Sequence, residues 1–108
     1  MGKFIISSRK NGAYHFNLKA GNGHVILSSE SYKSKTACQN GIESVKKNAA
    51  DNSRFEKITA SNGKFYFTLK ASNGQVLGTS ERYETLSGLE NGIESVQTNA
   101  AEAIIMEE

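Results

Sequence analysis

No proline and no tryptophan occur in these 108 residues, and there are only two histidines and one cysteine. Each shortage excludes something. Without proline, turns are expected to rest on residues with positive φ instead of rigid bends, and ten glycines are present to supply them. A lone Cys38 rules out an intramolecular disulfide and any cysteine-pair metal site, and it fits a reducing compartment. No stretch approaches the ~20 apolar residues of a membrane span. The start, MGKFIISSRKNG, shows neither the apolar run nor the cleavage site of a signal peptide. Ile6 stands where a myristoylation motif requires serine or threonine. The expected location is the cytosol, away from membranes.

A chain of this length builds one ordinary core and is too short for two. Hydrophobic content of 37% with 22% charged residues fits a globular domain. The net charge of +2 is too small to point to nucleic acid, but it is unevenly spread: residues 1–53 carry eight basic against three acidic side chains, and residues 54–108 five against eight. The halves can attract one another or present surfaces of opposite sign.

The chain is a tandem duplication. Shifted by 51 residues, positions 4–50 match positions 55–101 with 22 identities in 47 places and no gap. The blocks F-x-LKA-x-NG-x-V, SE-x-Y and NGIESV-x-x-NAA recur in the same order. Repeat 1 spans about 4–53 and repeat 2 about 55–107, and together they form a single domain over 1–108.

Each copy reads as three strands and a helix. First strands are expected at Phe4–Ser8 and Phe55–Thr59, followed by Asn11-Gly12 and Asn62-Gly63, a dipeptide suited to type I′ hairpin turns. The second strands alternate, with Tyr14, Phe16 and Leu18 inward against His15, Asn17 and Lys19, and with Phe65, Phe67 and Leu69 against Tyr66, Thr68 and Lys70. Asn22-Gly23 and Asn73-Gly74 lead into third strands at Val25–Ser29 and Val76–Ser80. Because Val25, Ile26 and Leu27 are all apolar, one parity is expected to face outward or be covered.

From the N-caps Ser34 and Thr85 the period lengthens. Ala37, Cys38, Ile42 and Val45, like Leu86, Leu89, Ile93 and Val96, fall on one helical face, and Asn48 and Asn99 mark the expected stops. Gly41 and Gly92 sit mid-helix, where glycine costs roughly 1 kcal/mol relative to alanine, so a close backbone approach to the sheet is expected there. Residues 103–107 read as a final strand. The fold class is α+β: two tandem β-β-β-α(-β) repeats forming one antiparallel sheet, with both helices packed on one face.

The F-x-LKA-x-NG, SE-x-Y and NGIESV blocks resemble the YegP-like family of small bacterial proteins over almost the whole chain. That resemblance implies two β3-α-β repeats sharing one sheet with exchanged C-terminal strands, and so a strand at 103–107 laid against the other repeat. In the first repeat, Asp51–Arg54 leave little room for a fourth strand, so Phe55–Ala60 is expected to serve both repeats. The resemblance carries no catalytic or binding residues, and no cofactor.

Chemistry is sparse. His15 and His24 have Tyr66 and Gln75 as counterparts, so a duplicated site would have lost its base in one copy. Cys38, matched by Leu89, reads as a small core hydrophobe. Glu30 with Glu81, or Glu43 with Glu94, could meet at a pseudo-twofold axis, but a glutamate at such positions is ordinarily solvated. No cluster has metal-ligand spacing, and the Asn-Gly turns join strands instead of opening helices as phosphate loops do. The expectation is a non-enzymatic, monomeric binding or interaction module of unknown partner, one version being a protein partner or self-association. Its candidate exposed binding face is His15, Asn17, Lys19, Tyr66, Thr68 and Lys70. The alternatives are weak nucleic-acid binding through that basic face, and a small-ligand or enzyme site at the seam between repeats.

Overall fold

The computed structural model describes residues 2–108. In chain order the elements are β1 (Lys3–Ser8), β2 (Tyr14–Lys19), β3 (Val25–Ser29), α1 (Lys35–Ala49), a 3₁₀ turn (Asn52–Arg54), β4 (Phe55–Thr59), β5 (Phe65–Lys70), β6 (Val76–Thr79), α2 (Leu86–Glu102) and β7 (Ile104–Glu107). One sheet runs β4-β5-β6-β3-β2-β1-β7. Every neighbouring pair is antiparallel except β1 and β7 at one edge, which are parallel. The C-terminal strand therefore lies on the first repeat, as the resemblance implied. Phe55–Thr59 serves only its own repeat, as the edge strand on β5, because Asp51–Arg54 is spent on the 3₁₀ turn.

The repeats meet at β3 and β6, where Ser28 faces Thr79. These two are counterparts under the shift of 51, so a pseudo-twofold axis passes between them. Phe4, Phe16, Leu18 and Leu27 join Phe67, Leu69, Leu89 and Val96 in one buried cluster, with Cys38, Ile42 and Val45 from α1. Both helices close this single core from the same side. Each repeat alone would leave its apolar face half covered.

The hairpins differ from the expected type. Among the described residues only glycines have positive φ, 83° to 88°, and no asparagine does, whereas a type I′ turn requires it at both central residues. In the first hairpin Gly12 N–H donates to the Arg9 carbonyl, and Asn11 Oδ1 accepts from Ala13 N–H. That is a type I turn closed by a left-handed glycine. The asparagine side chain satisfies the backbone two residues on, and the other three Asn-Gly turns repeat the pattern.

Ser34 Oγ and Thr85 Oγ1 accept from Ala37 and Gly88 N–H, as N-caps do. Asn48 lies in the last turn of α1, one residue from its end, whereas α2 runs three residues past Asn99; both Nδ2 groups are tied back to the Ser44 and Ser95 carbonyls four residues earlier. Leu86 departs from the predicted apolar face. It is the first helical residue and is 55% exposed. Gly41 and Gly92 mark close approaches of the helices to the sheet, each against a tyrosine ring whose backbone bridges to a sheet strand. A Cβ on Gly41 would fall within 2.6 Å of Tyr32 Cζ, and one on Gly92 within 2.5 Å of Tyr83 Cζ. Those rings stack on Phe16 and Phe67, which accounts for SE-x-Y and NG recurring together.

Candidate interaction surface

The helix-free face of the sheet carries all six predicted residues. The strand registers align Met106, Ile5, Asn17, Ser28, Thr79, Thr68 and Glu56 in one row across all seven strands. Its centre is short and uncharged. His15 and Lys19 flank Asn17, and Tyr66 and Lys70 flank Thr68. The two triads are related by the axis and separated by β3 and β6, so they form two patches, not one.

The face is less open than the alternation suggested. His15, Asn17, Lys19, Tyr66 and Lys70 are half-buried and Thr68 is buried at 7% exposure. Period-2 alternation places a side chain on a face but does not report its lateral neighbours. Thr68 is enclosed along its strand by Tyr66 and Lys70 and across it by Glu56 and Thr79, and the Lys70–Glu56 ion pair at 2.7 Å passes beside it. Its Oγ1 has no hydrogen-bond partner. Thr68→Val should therefore raise stability, by about 1 kcal/mol, because it removes an orphaned hydroxyl without changing shape. Urea denaturation measures this, and a loss of stability would show that the hydroxyl is satisfied in solution.

Both aromatic rings on this face are already engaged by arginines. The Arg82 guanidinium lies 4.8 Å from the Tyr66 ring centroid. Arg9 Nε–H donates to His15 Nδ1 at 3.2 Å, leaving the imidazole proton on Nε2. Burial and then the Arg9 charge lower the His15 pKa, against a smaller opposing effect of Glu108, so the ring is neutral at pH 7. Arg82 was not foreseen, since it sits in the β6–α2 loop, where no periodicity assigns a face.

The remaining candidates separate clearly. Cys38 is fully buried and its thiol pKa is pushed up by that burial, the opposite of an activated nucleophile. Glu30 and Glu81 lie on opposite sides of the axis, because the β3–β6 register runs antiparallel about Ser28 and Thr79. Glu43 and Glu94 are exposed on their helices. Among the described residues no group of three acidic, histidine or cysteine side chains is placed to hold a metal. At the seam between repeats, a shallow cleft of about 410 Å³ runs between α1 and the β5–β6 turn. It is lined by Tyr32, Asn40, Ser44, Asn73 and Gln75 among others, and Tyr32 is its sole titratable group. Burial first, then Cys38 and Glu30, raise that phenol's pKa, leaving the cleft without an acid or base at neutral pH.

Apolar exposure is not where strand three suggested. Ile26 and Leu27 are both buried, because a bulge opposite the Leu18–Lys19 step lets consecutive residues reach the core. Among the described residues the exposed large apolar side chains are Ile104, Ile105 and Met106, at 40–48%, and Leu86.

The sequence pattern described as "Domain of unknown function (DUF1508)" matches residues 10–56 and again 60–107. The chain belongs to the DUF1508 family. Among its relatives, the UPF0339 protein YegP of Escherichia coli K12 is 51% identical over 98 residues, covering 91% of this chain and 89% of its own. A UPF0339 protein of Acinetobacter baylyi is 50% identical over 104 residues, 96% and 94% of the two chains. Two solved structures share the fold. The solution structure of E. coli yegP, a protein of unknown function, superposes with a TM-score of 0.93 at 47% identity, covering 99% of this chain and 92% of that one. A UPF0339 protein from Shewanella oneidensis gives 0.92 at 44%, covering 98% and 90%.

Proposed function

We propose that this chain is a non-enzymatic, cytosolic interaction module whose partner is a protein, engaged at the outer strands of the sheet and the helix-free face between them. The observation that carries the reading is the placement of Ile104, Ile105 and Met106. Of the four exposed large apolar side chains among the described residues, three are consecutive on one edge strand. Chemistry supports the same reading, since the buried thiol, the neutral His15 and the seam cleft bring no nucleophile, base and orienting group together.

Nucleic-acid binding is the second reading, favoured by Lys3 beside Lys19 and by Arg54 near Lys70 on the same face. It is weaker, because Glu56 and Asp51 already pair Lys70 and Arg54, and Arg82 covers the Tyr66 ring.

Capture from bacterial cytosol on the immobilised chain, beside an Ile105→Ser/Met106→Ser variant, tests both. A protein retained by the first and lost by the second is the expected result. Nucleic acid eluting with moderate salt would replace this reading with the second.

A further inference from the structure

The two sheet edges are unequal in a way that the duplication exposes. β1 and β4 are repeat counterparts with the same register on their inner neighbours, Ile6 facing Phe16 and Lys57 facing Phe67. On the outer side of β1 lies β7, with Ile104 N–H donating to Gly2 and Glu108 N–H to the Ile6 carbonyl. On the outer side of β4 the sheet ends. Lys57 stands where Ile6 stands, so its N–H and carbonyl look outward.

The side chains show the same vacancy on both faces. On the helix-free face a hollow of about 260 Å³ is formed by Lys3, Ile5, Lys19, Ala20, Gly21 and Gly23 and closed by Met106 of β7. Its counterpart, residue for residue, is formed by Arg54, Glu56, Lys70, Ala71, Ser72 and Gly74; it measures about 410 Å³ and no strand closes it. On the helix side, Glu107 of β7 pairs with Lys35. The counterpart of Lys35 is Leu86, which is 55% exposed.

We propose that the open edge of β4 docks an extended segment of a partner protein as an eighth, parallel strand in the place that β7 holds on β1. The replacements along the slot define its chemistry. Glu56 for Ile5 calls for a polar side chain where β7 has Met106, and Leu86 for Lys35 calls for an apolar one where β7 has Glu107. The preferred strand thus has the reverse alternation of β7. Main-chain hydrogen bonds supply the affinity and these alternate side chains the selection. Glu56 and Lys57, the latter paired to Glu90 at 3.1 Å, keep the empty edge from indiscriminate pairing. A second copy of this chain fits poorly, since antiparallel self-pairing about the middle of β4 sets Glu56 against Glu56 or Lys57 against Lys57.

This assignment rests on the protein-interaction reading and is tested apart from it. The probe is a capped peptide alternating valine and threonine between terminal lysines, spin-labelled at its N-terminus and titrated into ¹⁵N-labelled protein. Shifts over Phe55–Thr59 and Leu86, with label broadening at the Arg54 end, are expected. Lys57→Pro removes the outward N–H together with the Glu90 ion pair and should weaken binding roughly tenfold or more, whereas Lys57→Ala, which loses the ion pair alone, should retain it. Should Lys57→Pro misfold, the same peptide N-methylated at alternate amides, on the wild-type chain, must bind as weakly.

Broadening at the Thr59 end overturns the parallel strand. Shifts confined to β7 or the helix-free face overturn the site while leaving the interaction reading standing. Silence to millimolar peptide, or concentration-dependent changes at β4 without peptide, also overturns the site, the latter in favour of self-association.

Discussion

Gly78→Leu should unfold the protein or cost more than the roughly 1–3 kcal/mol usual for overpacking a core, although it only restores the residue its counterpart already has. Leu27 and Gly78 are repeat partners beside the pseudo-twofold axis, and the space there holds one leucine. A Cβ built on Gly78 falls 2.7 Å from Leu27 Cγ and 2.9 Å from Cδ2, and Leu27 is fully buried. Leu27→Ala should err in the other direction, costing about 2–5 kcal/mol for the methyl groups removed and the cavity left behind. The double variant Leu27→Ala/Gly78→Leu moves the leucine across the axis, and the two changes should offset one another by up to about 3 kcal/mol. Urea denaturation of the three variants reads this directly. If the double variant were as unstable as the sum of its parts, the two residues would not share one space.

That pair also shows where a duplicated sequence misleads. Identity between repeats predicts like environments, and for β2 and β5 this holds, because alternation is set within one strand. At the axis the copies contact each other, and perfect symmetry would overfill the site. The Asn-Gly pairs announced hairpins but not their type, since the asparagines act through side-chain acceptance with negative φ, which leaves the same dipeptide in the sequence. Leu86 lies on the apolar stripe by spacing yet precedes the first full turn, and no strand covers it. Thr68 is buried by Tyr66, Lys70 and Glu56, neighbours that only the sheet order reveals. The candidate face was legible as a face. Its closure by Arg82 and the Lys70–Glu56 pair was not, because those contacts depend on loop placement and cross-strand register.

Ending the chain at Glu102 should cost roughly 2–4 kcal/mol, from the ladder hydrogen bonds of β7 and the apolar surface it covers. Ala103 is 4% exposed, and Ile5, beside Met106, is 9%. The loss should appear as a lower urea midpoint and faster hydrogen exchange along β1. A capped peptide of residues 103–108 should reverse both in a concentration-dependent way. Unchanged stability and exchange would mean that β7 merely rests on the edge.

The truncated chain should also aggregate through β1, and here the comparison with β4 becomes decisive. Both edges would then be open. β1 would present Phe4, Ile5 and Ile6, whereas β4 presents Glu56 and Lys57 at the positions of the last two. Unpaired apolar edges recruit other chains and charged ones resist. Ile5→Glu in the truncated chain should therefore restore a monodisperse species by light scattering without restoring the lost stability. If aggregation persisted, the protection of β4 would have to come from something other than its charges.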